Sequence, residues 1–231
     1  MYYDKNHRSA ISFPLGGIGT GCIGLDGSGH LVDWEIENHP NKESSNRYSH
    51  FAVKAEADGS VLDARILNGD MTPPYMGHTC PAEAAAHAGY CGFGYGAKAD
   101  LLPGLPHFSE TEFSGEFPVV AMQFKDPRFP GEITLRAFNP FIPLNSFDSS
   151  LPGALFEFTV RNNSRKTITY TLAGSLSATP GKFRSRWNQD QLTMKSEEPP
   201  ESVRYGELSL AAAGGDSISG QASWYRGTWR D

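Results

Sequence analysis

The sequence has few cysteines and no long apolar stretch. Only Cys22, Cys80 and Cys91 occur among its 231 residues. So few cysteines exclude the disulfide framework of a small secreted domain and suit a reducing compartment. No apolar run approaches the roughly 20 residues that a membrane-spanning helix needs, and the opening residues MYYDKNHRS are polar, unlike a secretory signal. These features predict a cytoplasmic protein without a transmembrane segment.

Concentrated positive charge is also missing. The chain has 20 Lys and Arg against 26 Asp and Glu, so its formal net charge is -6, and its basic residues are scattered. This distribution excludes nucleic acid and anionic membrane as the main partner. There is no P-loop, and Gly27-Ser28-Gly29 lacks the spacing of a G-x-S-x-G nucleophile elbow. We therefore expect no nucleic-acid partner and no cofactor.

Alternation of apolar and polar residues with period two is the dominant pattern. Hydrophobic residues make up 39% of the chain and aromatic residues 12%, which is enough for a substantial core. The alternation predicts strands over 51–57, 62–66, 120–124, 133–137, 154–160, 168–172, 203–210 and 217–224. A short helix is predicted over 82–88, inside a long irregular loop region at 68–110. The fold class is therefore all-β, an antiparallel β-sandwich with at most one short helix.

Two hairpins are predicted from turn residues between alternating runs. Asp58-Gly59 joins the strands at 51–57 and 62–66, with Leu62, Ala64 and Ile66 on one face of the second strand. Glycine readily takes the positive φ of a type I′ turn. The segment 162–165, Asn-Asn-Ser-Arg, similarly predicts a hairpin between 154–160 and 168–172.

Residues 16–29 read GGIGTGCIGLDGSG and contain a formal G-x-G-x-x-G at 19–24. A dinucleotide-binding loop needs a strand before the glycines and a helix opening within them. Here Pro14 precedes the run, and further glycines at 27 and 29 would break such a helix. The glycines instead indicate bulges and tight turns, where a side chain would clash with a neighbouring sheet.

The acidic residues after the glycine run have two interpretations, and so do the tryptophans. Asp33, Glu35 and Glu37 would share one face of a strand. They are either a carboxylate pair for sugar hydrolysis or, as alternation alone favours, a solvated face or one that contacts a partner domain. Tryptophans serve as sugar-stacking platforms or, more commonly in a sandwich, as core residues; they are Trp34, Trp187, Trp224 and Trp229.

An H-x-C-x6-H-x3-C array lies in the irregular region and consists of His78, Cys80, His87 and Cys91. Two thiolates and two imidazoles are a ligand set that binds zinc tetrahedrally, and a structural metal would stabilise a long loop. The spacing matches no standard zinc pattern, so the alternative is a loop with free thiols and no metal.

Five blocks of sequence together resemble glycoside hydrolase family 116, which contains bacterial β-glucosidases and non-lysosomal glucosylceramidases. In order along the chain they are Phe13–Gly21, Asp33–Lys42, Gly115–Pro118, Ala137–Leu144 and Asp148–Pro152. Because the blocks extend over most of the chain in the family's order, the resemblance is more specific than any single motif.

The resemblance implies an N-terminal β-sandwich that precedes a catalytic (α/α)6 barrel. In the family the barrel carries a glutamate nucleophile and an aspartate acid/base, and retention requires two carboxylates about 5 Å apart. We therefore expect residues 1–231 to form a single N-terminal domain, incomplete at its C-terminal end, with no catalytic residue. Its expected partner is the catalytic domain, in the same or a longer chain, and its link to a β-glucoside substrate is indirect.

Two further expectations follow from this assignment. The apolar block 138–152 is expected to form a buried corner or part of the seam against the barrel. The alternative function is a stand-alone carbohydrate-binding sandwich that holds glycan on an exposed aromatic face.

Overall fold

The computed structural model describes residues 1–4, 6–46, 48–70, 102, 104–179 and 181–223. The backbone forms two compact units, Met1–Ser175 and Leu176–Asp231. The single domain predicted for residues 1–231 stays a prediction, and each unit is described by itself.

The described residues form strands and one short helix. In chain order the elements are β1 (Tyr2–Tyr3), β2 (Ser12–Leu15), β3 (Cys22–Asp26), β4 (Leu31–Glu35), β5 (His50–Ala57), β6 (Ser60–Ile66), β7 (Glu110–Glu116), β8 (Val119–Lys125), β9 (Glu132–Phe138), α1 (Ser146–Ser149), β10 (Leu155–Arg161), β11 (Thr169–Ser175), β12 (Phe183–Asn188), β13 (Gln191–Ser196) and β14 (Glu207–Ala211). No helix among the described residues is long and apolar enough to cross a membrane. The helix predicted over 82–88 lies outside the described residues.

Three antiparallel sheets of the first unit share one hydrophobic core. Their strand orders are β1-β7-β8-β9-β10, β2-β3-β4 and β11-β5-β6. The core combines buried side chains from all three sheets. Phe13 of β2 lies edge-on to Phe113 of β7 at 6.4 Å between ring centroids, and Phe51 of β5 lies 5.0 Å from Phe156 of β10. The five-stranded sheet therefore packs against the two smaller ones, which confirms the predicted all-β antiparallel sandwich.

The hairpin between β5 and β6 is confirmed. Asp58 and Gly59 both have positive φ, 52° and 74°, as a type I′ turn requires. The second strand, however, is buried only at its end. Val61 and Leu62 are 57% and 43% exposed, whereas Arg65 and Ile66, on opposite faces, are each 6% exposed. The predicted apolar face of β6 therefore reaches the core only through Ile66.

The second predicted hairpin is wrong. β10 pairs with β9 and β11 pairs with β5, with Leu172 opposite Val53. The chain therefore crosses from one layer of the sandwich to the other between the two strands. Asn162 begins this crossing, because its side chain accepts a hydrogen bond from the Ser164 amide at 2.8 Å and donates one to the Lys166 carbonyl at 2.7 Å. Turn residues between alternating runs thus occur at layer crossings as well as in hairpins.

The second unit contains the antiparallel sheet β12-β13-β14. Its last strand begins at Glu207, so the strand predicted over 203–210 is correct only in its second half. The strand predicted over 217–224 is wrong for the described residues 217–223, which are irregular. Trp187 packs against this irregular segment, because a Cβ built on Gly220 would lie 2.5 Å from its ring.

Candidate interaction site at the glycine-loop end

Segments that are far apart in sequence meet at one end of the sandwich. The glycine loop, defined as residues 16–21 between β2 and β3, lies at the centre of this end. Around it lie the start of the β4–β5 loop, the β7–β8 turn at 117–118, and the block 138–152. We call this region the motif end, because it brings together the five blocks identified in the sequence.

A buried asparagine connects the segments of the motif end. Asn139 accepts a hydrogen bond from the Gly16 amide at 2.6 Å and donates one from Nδ2 to the Pro14 carbonyl at 2.9 Å. The backbone amide of Asn139 donates to the Pro118 carbonyl at 3.1 Å. Asn139 is only 6% exposed. The donor and acceptor atoms of a buried side-chain amide need hydrogen-bond partners. These bonds therefore hold the backbone at 14–16, 118 and 139 in fixed relative positions.

The glycine loop also makes close backbone contacts with the block 138–152. The Ile18 amide donates to the Ser149 carbonyl at 2.8 Å. A Cβ built on Gly17 would lie 2.6 Å from the Ser150 carbonyl oxygen. No residue with a side chain fits there without moving backbone, which confirms the prediction that glycines allow close approach. The dinucleotide-binding interpretation is excluded, because β2, β3 and β4 form an antiparallel sheet around this loop.

On its other side the glycine loop contacts the end of β4. A Cβ built on Gly21 would lie 2.7 Å from the Glu35 carbonyl oxygen and 3.1 Å from the Ile36 Cα. The β4–β5 loop, whose described residues are 36–46, 48 and 49, therefore begins directly beside the glycine loop.

The motif end exposes an apolar surface. Its side chains come from the glycine loop, the β7–β8 turn and the block 138–152, and their exposed fractions are Ile18 52%, Phe117 52%, Ile142 50%, Leu144 109%, Phe147 83% and Leu151 54%. We call these six residues the apolar end surface. A groove beside it is lined by Pro118, Phe138, Phe141 and Ile142, among others, and Phe117 lies edge-on to Phe141 at 5.2 Å. Contiguous exposed apolar side chains of this kind are typical of interaction surfaces.

The block 138–152 is buried at some positions and exposed at others. Asn139 and Ser149 are buried, and the Ser149 hydroxyl donates to the Ile142 carbonyl at 3.0 Å. The Asn145 side chain caps helix α1 by accepting from the Asp148 amide at 3.1 Å. These polar contacts hold the block in a fixed shape while its large apolar side chains point outward.

A polar cluster lies next to the apolar end surface. Asp33 accepts hydrogen bonds from the Ser12 hydroxyl and the Glu43 amide, both at 2.7 Å. Lys42 Nζ lies 2.8 Å from a Glu35 carboxylate oxygen and 3.5 Å from one of Asp33. The predicted solvated face is wrong at Asp33, which is 8% exposed. Its φ of 48° interrupts the alternation, so Asp33 and the next residue, Trp34, are both buried.

The two carboxylates of this cluster are held ionised. Burial alone would raise the pKa of Asp33, but hydrogen bonds from Ser12 and Glu43 hold that pKa below its ordinary value. The hydrogen bond from Lys42 lowers the pKa of Glu35. A general acid for glycoside cleavage needs a raised pKa, so this cluster is suited to holding the chain in place rather than to proton transfer. Burial and the neighbouring Glu35 raise the pKa of the Cys22 thiol.

The remaining predicted site residues divide between described and undescribed parts of the chain. Trp34 is 6% exposed, and its Nε1 donates to the Leu31 carbonyl at 3.1 Å, so it is a core residue. Trp224 and Trp229 lie outside the described residues, as do all four zinc candidates, His78, Cys80, His87 and Cys91. Among the residues that the structure describes, no three His, Cys, Asp or Glu side chains are placed to hold a metal ion. The zinc site and the favoured alternative, a loop without metal, therefore both stay untested predictions.

Sequence reasoning missed the central role of Asn139. Its position directly after β9 and before Pro140 was visible as the end of a strand. Nothing in the sequence, however, indicates that its side chain reaches the glycine loop 123 residues earlier.

A protein-family model described as "beta-glucosidase 2, glycosyl-hydrolase family 116 N-term" matches residues 12–222. A search of curated proteins finds no match.

Proposed function

The chain belongs to the N-terminal domain family of glycoside hydrolase family 116, and from this membership we propose that it is a non-catalytic supporting domain. Its partner is the (α/α)6 catalytic domain of a retaining β-glucosidase or glucosylceramidase-like enzyme. The apolar end surface forms the seam between the two. The β-glucoside is bound and cleaved by the catalytic domain, and the sandwich contributes indirectly by supporting it.

The observation that carries this proposal is the exposure of large apolar side chains on a rigid base. Leu144 and Phe147 are 109% and 83% exposed, although the backbone beneath them is fixed by Asn139 and Ser149. Water-exposed leucine and phenylalanine gain free energy when a partner covers them, about 25 cal/mol for each Å² of apolar area. A rigid surface also loses little conformational entropy on binding, which favours a permanent intramolecular seam.

The acid/base chemistry of the described residues supports a non-catalytic role. Among the carboxylates of the motif end, Asp33 and Glu35 are both paired with Lys42, and Asp148 accepts a hydrogen bond from Asn145 Nδ2 at 2.6 Å. The alternative of a carbohydrate-binding module would need an exposed aromatic platform. Trp34 is buried, and the exposed rings Phe117 and Phe147 belong to the apolar end surface, which this proposal assigns to the seam. The predicted cytoplasmic location is part of the proposal and is supported by the low cysteine content.

The test measures association with a separately produced catalytic domain from the same protein or genome. We expect the wild-type chain to bind it in isothermal titration calorimetry. The double variant Leu144→Glu/Phe147→Glu should weaken binding at least about tenfold, because truncating or charging central interface residues typically costs more than 1 kcal/mol. Val61→Glu is the matched control, since Val61 is 57% exposed on β6, outside the apolar end surface.

Absence of binding by the wild-type chain, or an equal loss with the Val61 control, would show that the surface is not the seam. The chain alone should not hydrolyse an aryl β-glucoside. Turnover that persists after removal of contaminating enzymes would contradict the non-catalytic role.

A further inference from the structure

The loop between β4 and β5 has an exposed polar tip on a tightly bonded base. Asn38, His39 and Pro40 at the tip are exposed, whereas Asn41 and Ser44 on its return are partly buried. Asn38 and Glu43 adopt positive φ, 54° and 59°. The loop therefore departs from extended geometry at the start of its tip and again on its return.

Hydrogen bonds hold the return side of this loop against β4. Asn41 donates from Nδ2 to the Trp34 carbonyl at 3.0 Å. The Trp34 amide donates to the Ser44 hydroxyl at 2.8 Å, and the Asp33 amide donates to the Ser44 carbonyl at 2.9 Å. Lys42 adds its contacts to Asp33 and Glu35. The tip is therefore presented in a fixed shape before any ligand arrives, which reduces the entropy lost on binding.

The loop lies at the border of the apolar end surface. Gly21 of the glycine loop contacts Glu35 and Ile36 on one side, while Ile18 of the same loop belongs to the apolar end surface. Interfaces commonly have an apolar centre and a polar rim. Small-molecule sites in turn occur preferentially where two domains meet. A polar loop at the rim of a domain seam is therefore well placed to contact a ligand held by the partner domain.

We propose that Asn38 and His39 form hydrogen bonds with hydroxyl groups of a β-glucoside bound in the catalytic domain. This inference rests on the proposed function. A glucoside is neutral and offers hydroxyls that both donate and accept; the Asn amide and the His imidazole each do the same. Asp33, Glu35 and Lys42 act as positioning residues, because they hold the loop and do not themselves contact the sugar.

The test uses the enzyme in which this domain is joined to its catalytic domain, with an aryl β-glucoside as substrate. Asn38→Ala and His39→Ala should each raise KM about fivefold with kcat within about twofold, as loss of one hydrogen bond to bound substrate predicts. Melting temperature should not change, because both side chains are exposed. Lys42→Met should also raise KM, and Lys42→Arg should restore it, since either cation can bridge the two carboxylates.

Asn163→Ala is the matched control. Asn163 is exposed and follows β10, at the opposite end of that strand from the motif end, so KM should keep its wild-type value. Unchanged KM in the two tip variants, KM raised equally by the control, or a parallel fall in melting temperature would overturn the loop proposal.

The variant Leu144→Glu/Phe147→Glu distinguishes failure of the loop proposal from failure of the proposed function. If Leu144→Glu/Phe147→Glu weakens domain association while the tip variants leave KM unchanged, the seam stands and the loop proposal fails. If the apolar-surface variants also have no effect, the proposed function itself fails.

Discussion

At the scale of single residues, a charged pair lies inside the sandwich. Arg65 Nη1 lies 2.8 Å from Asp126 Oδ2, and their side chains are 5% and 0% exposed. Arg65 also donates to the His107 carbonyl at 2.6 Å and to Asp63 at 2.7 Å. Its guanidinium lies 5.6 Å from the ring centre of Phe108. Each charge thus has several partners, and removing Asp126 would leave the buried Arg65 with Asp63 as its remaining carboxylate partner.

Replacement of Asp126 should destabilise the fold and change its response to acid. Burial alone would raise the pKa of Asp126, but hydrogen bonds from Arg128 and the charge of Arg65 hold that pKa well below its ordinary value. A depressed carboxyl pKa stabilises the fold above the unfolded value of about 4 and loses that contribution as pH falls below it. Asp126→Asn should therefore lower the free energy of unfolding by about 3 kcal/mol at pH 7. It should also flatten the decline in stability below about pH 4, measured by urea denaturation across pH.

Asp58→Asn is the control for this prediction, because the Asp58 side chain is 82% exposed and its pair with Lys166 is 3.5 Å long. Its free energy of unfolding should stay within about 0.5 kcal/mol of wild type. A wild-type acid response in Asp126→Asn would show that this carboxylate is not a source of the pH dependence.

At the scale of elements, the sequence predicts several strands of the first unit better than their pairings, and it does not predict β7, β12 or β13. The strand predicted over 154–160 falls within one residue of β10 at each end, and most of 168–172 lies in β11. Their pairing could not be predicted, because alternation reports the two faces of a strand and not its neighbours. A hairpin and a layer crossing also use the same turn residues. The packing of the core distinguishes a hairpin from a layer crossing, because Phe51 on β5 packs against β10 across the sandwich. β11 therefore lies in the layer of β5.

A cysteine cross-link tests the observed pairing. Ala52 of β5 lies directly opposite Ala173 of β11, and opposed antiparallel residues have Cα atoms about 4.5–5.5 Å apart, within the range of a disulfide. With the three native cysteines replaced by serine, Ala52→Cys/Ala173→Cys should cross-link under mild oxidation, as shown by mass spectrometry of the digested chain.

The control pair for this cross-link is Ala154→Cys/Ala173→Cys, which a hairpin around residues 162–165 would bring together. We expect no cross-link within one molecule in this variant. The opposite pattern, with the control pair linked and the Ala52 pair free, would restore the hairpin and contradict the observed sheet.

At the scale of the whole molecule, the sequence blocks identified the family but not their arrangement. The blocks are residues 13–21, 33–42, 115–118, 137–144 and 148–152, and contacts between them join residues as far apart as Gly16 and Asn139, 123 positions along the chain. Local sequence patterns carry no information about contacts over such separations. The convergence of the blocks depends on buried contacts such as that of Asn139 with the Gly16 amide. The burial of Asp33 was equally hidden, because its positive φ breaks the alternation from which its exposure was predicted.

The isolated chain should self-associate through the apolar end surface. Leu144 and Phe147 are more exposed than any other leucine or phenylalanine among the described residues, and without a catalytic domain only another copy of the chain can cover them. Apolar burial should then make the sedimentation coefficient rise with protein concentration. Leu144→Glu/Phe147→Glu should remove that dependence without lowering the melting temperature, because neither side chain packs in the core. Val61→Glu should retain the rise of the sedimentation coefficient with protein concentration. A wild-type chain that stays monomeric at high concentration would show that this surface does not need a partner.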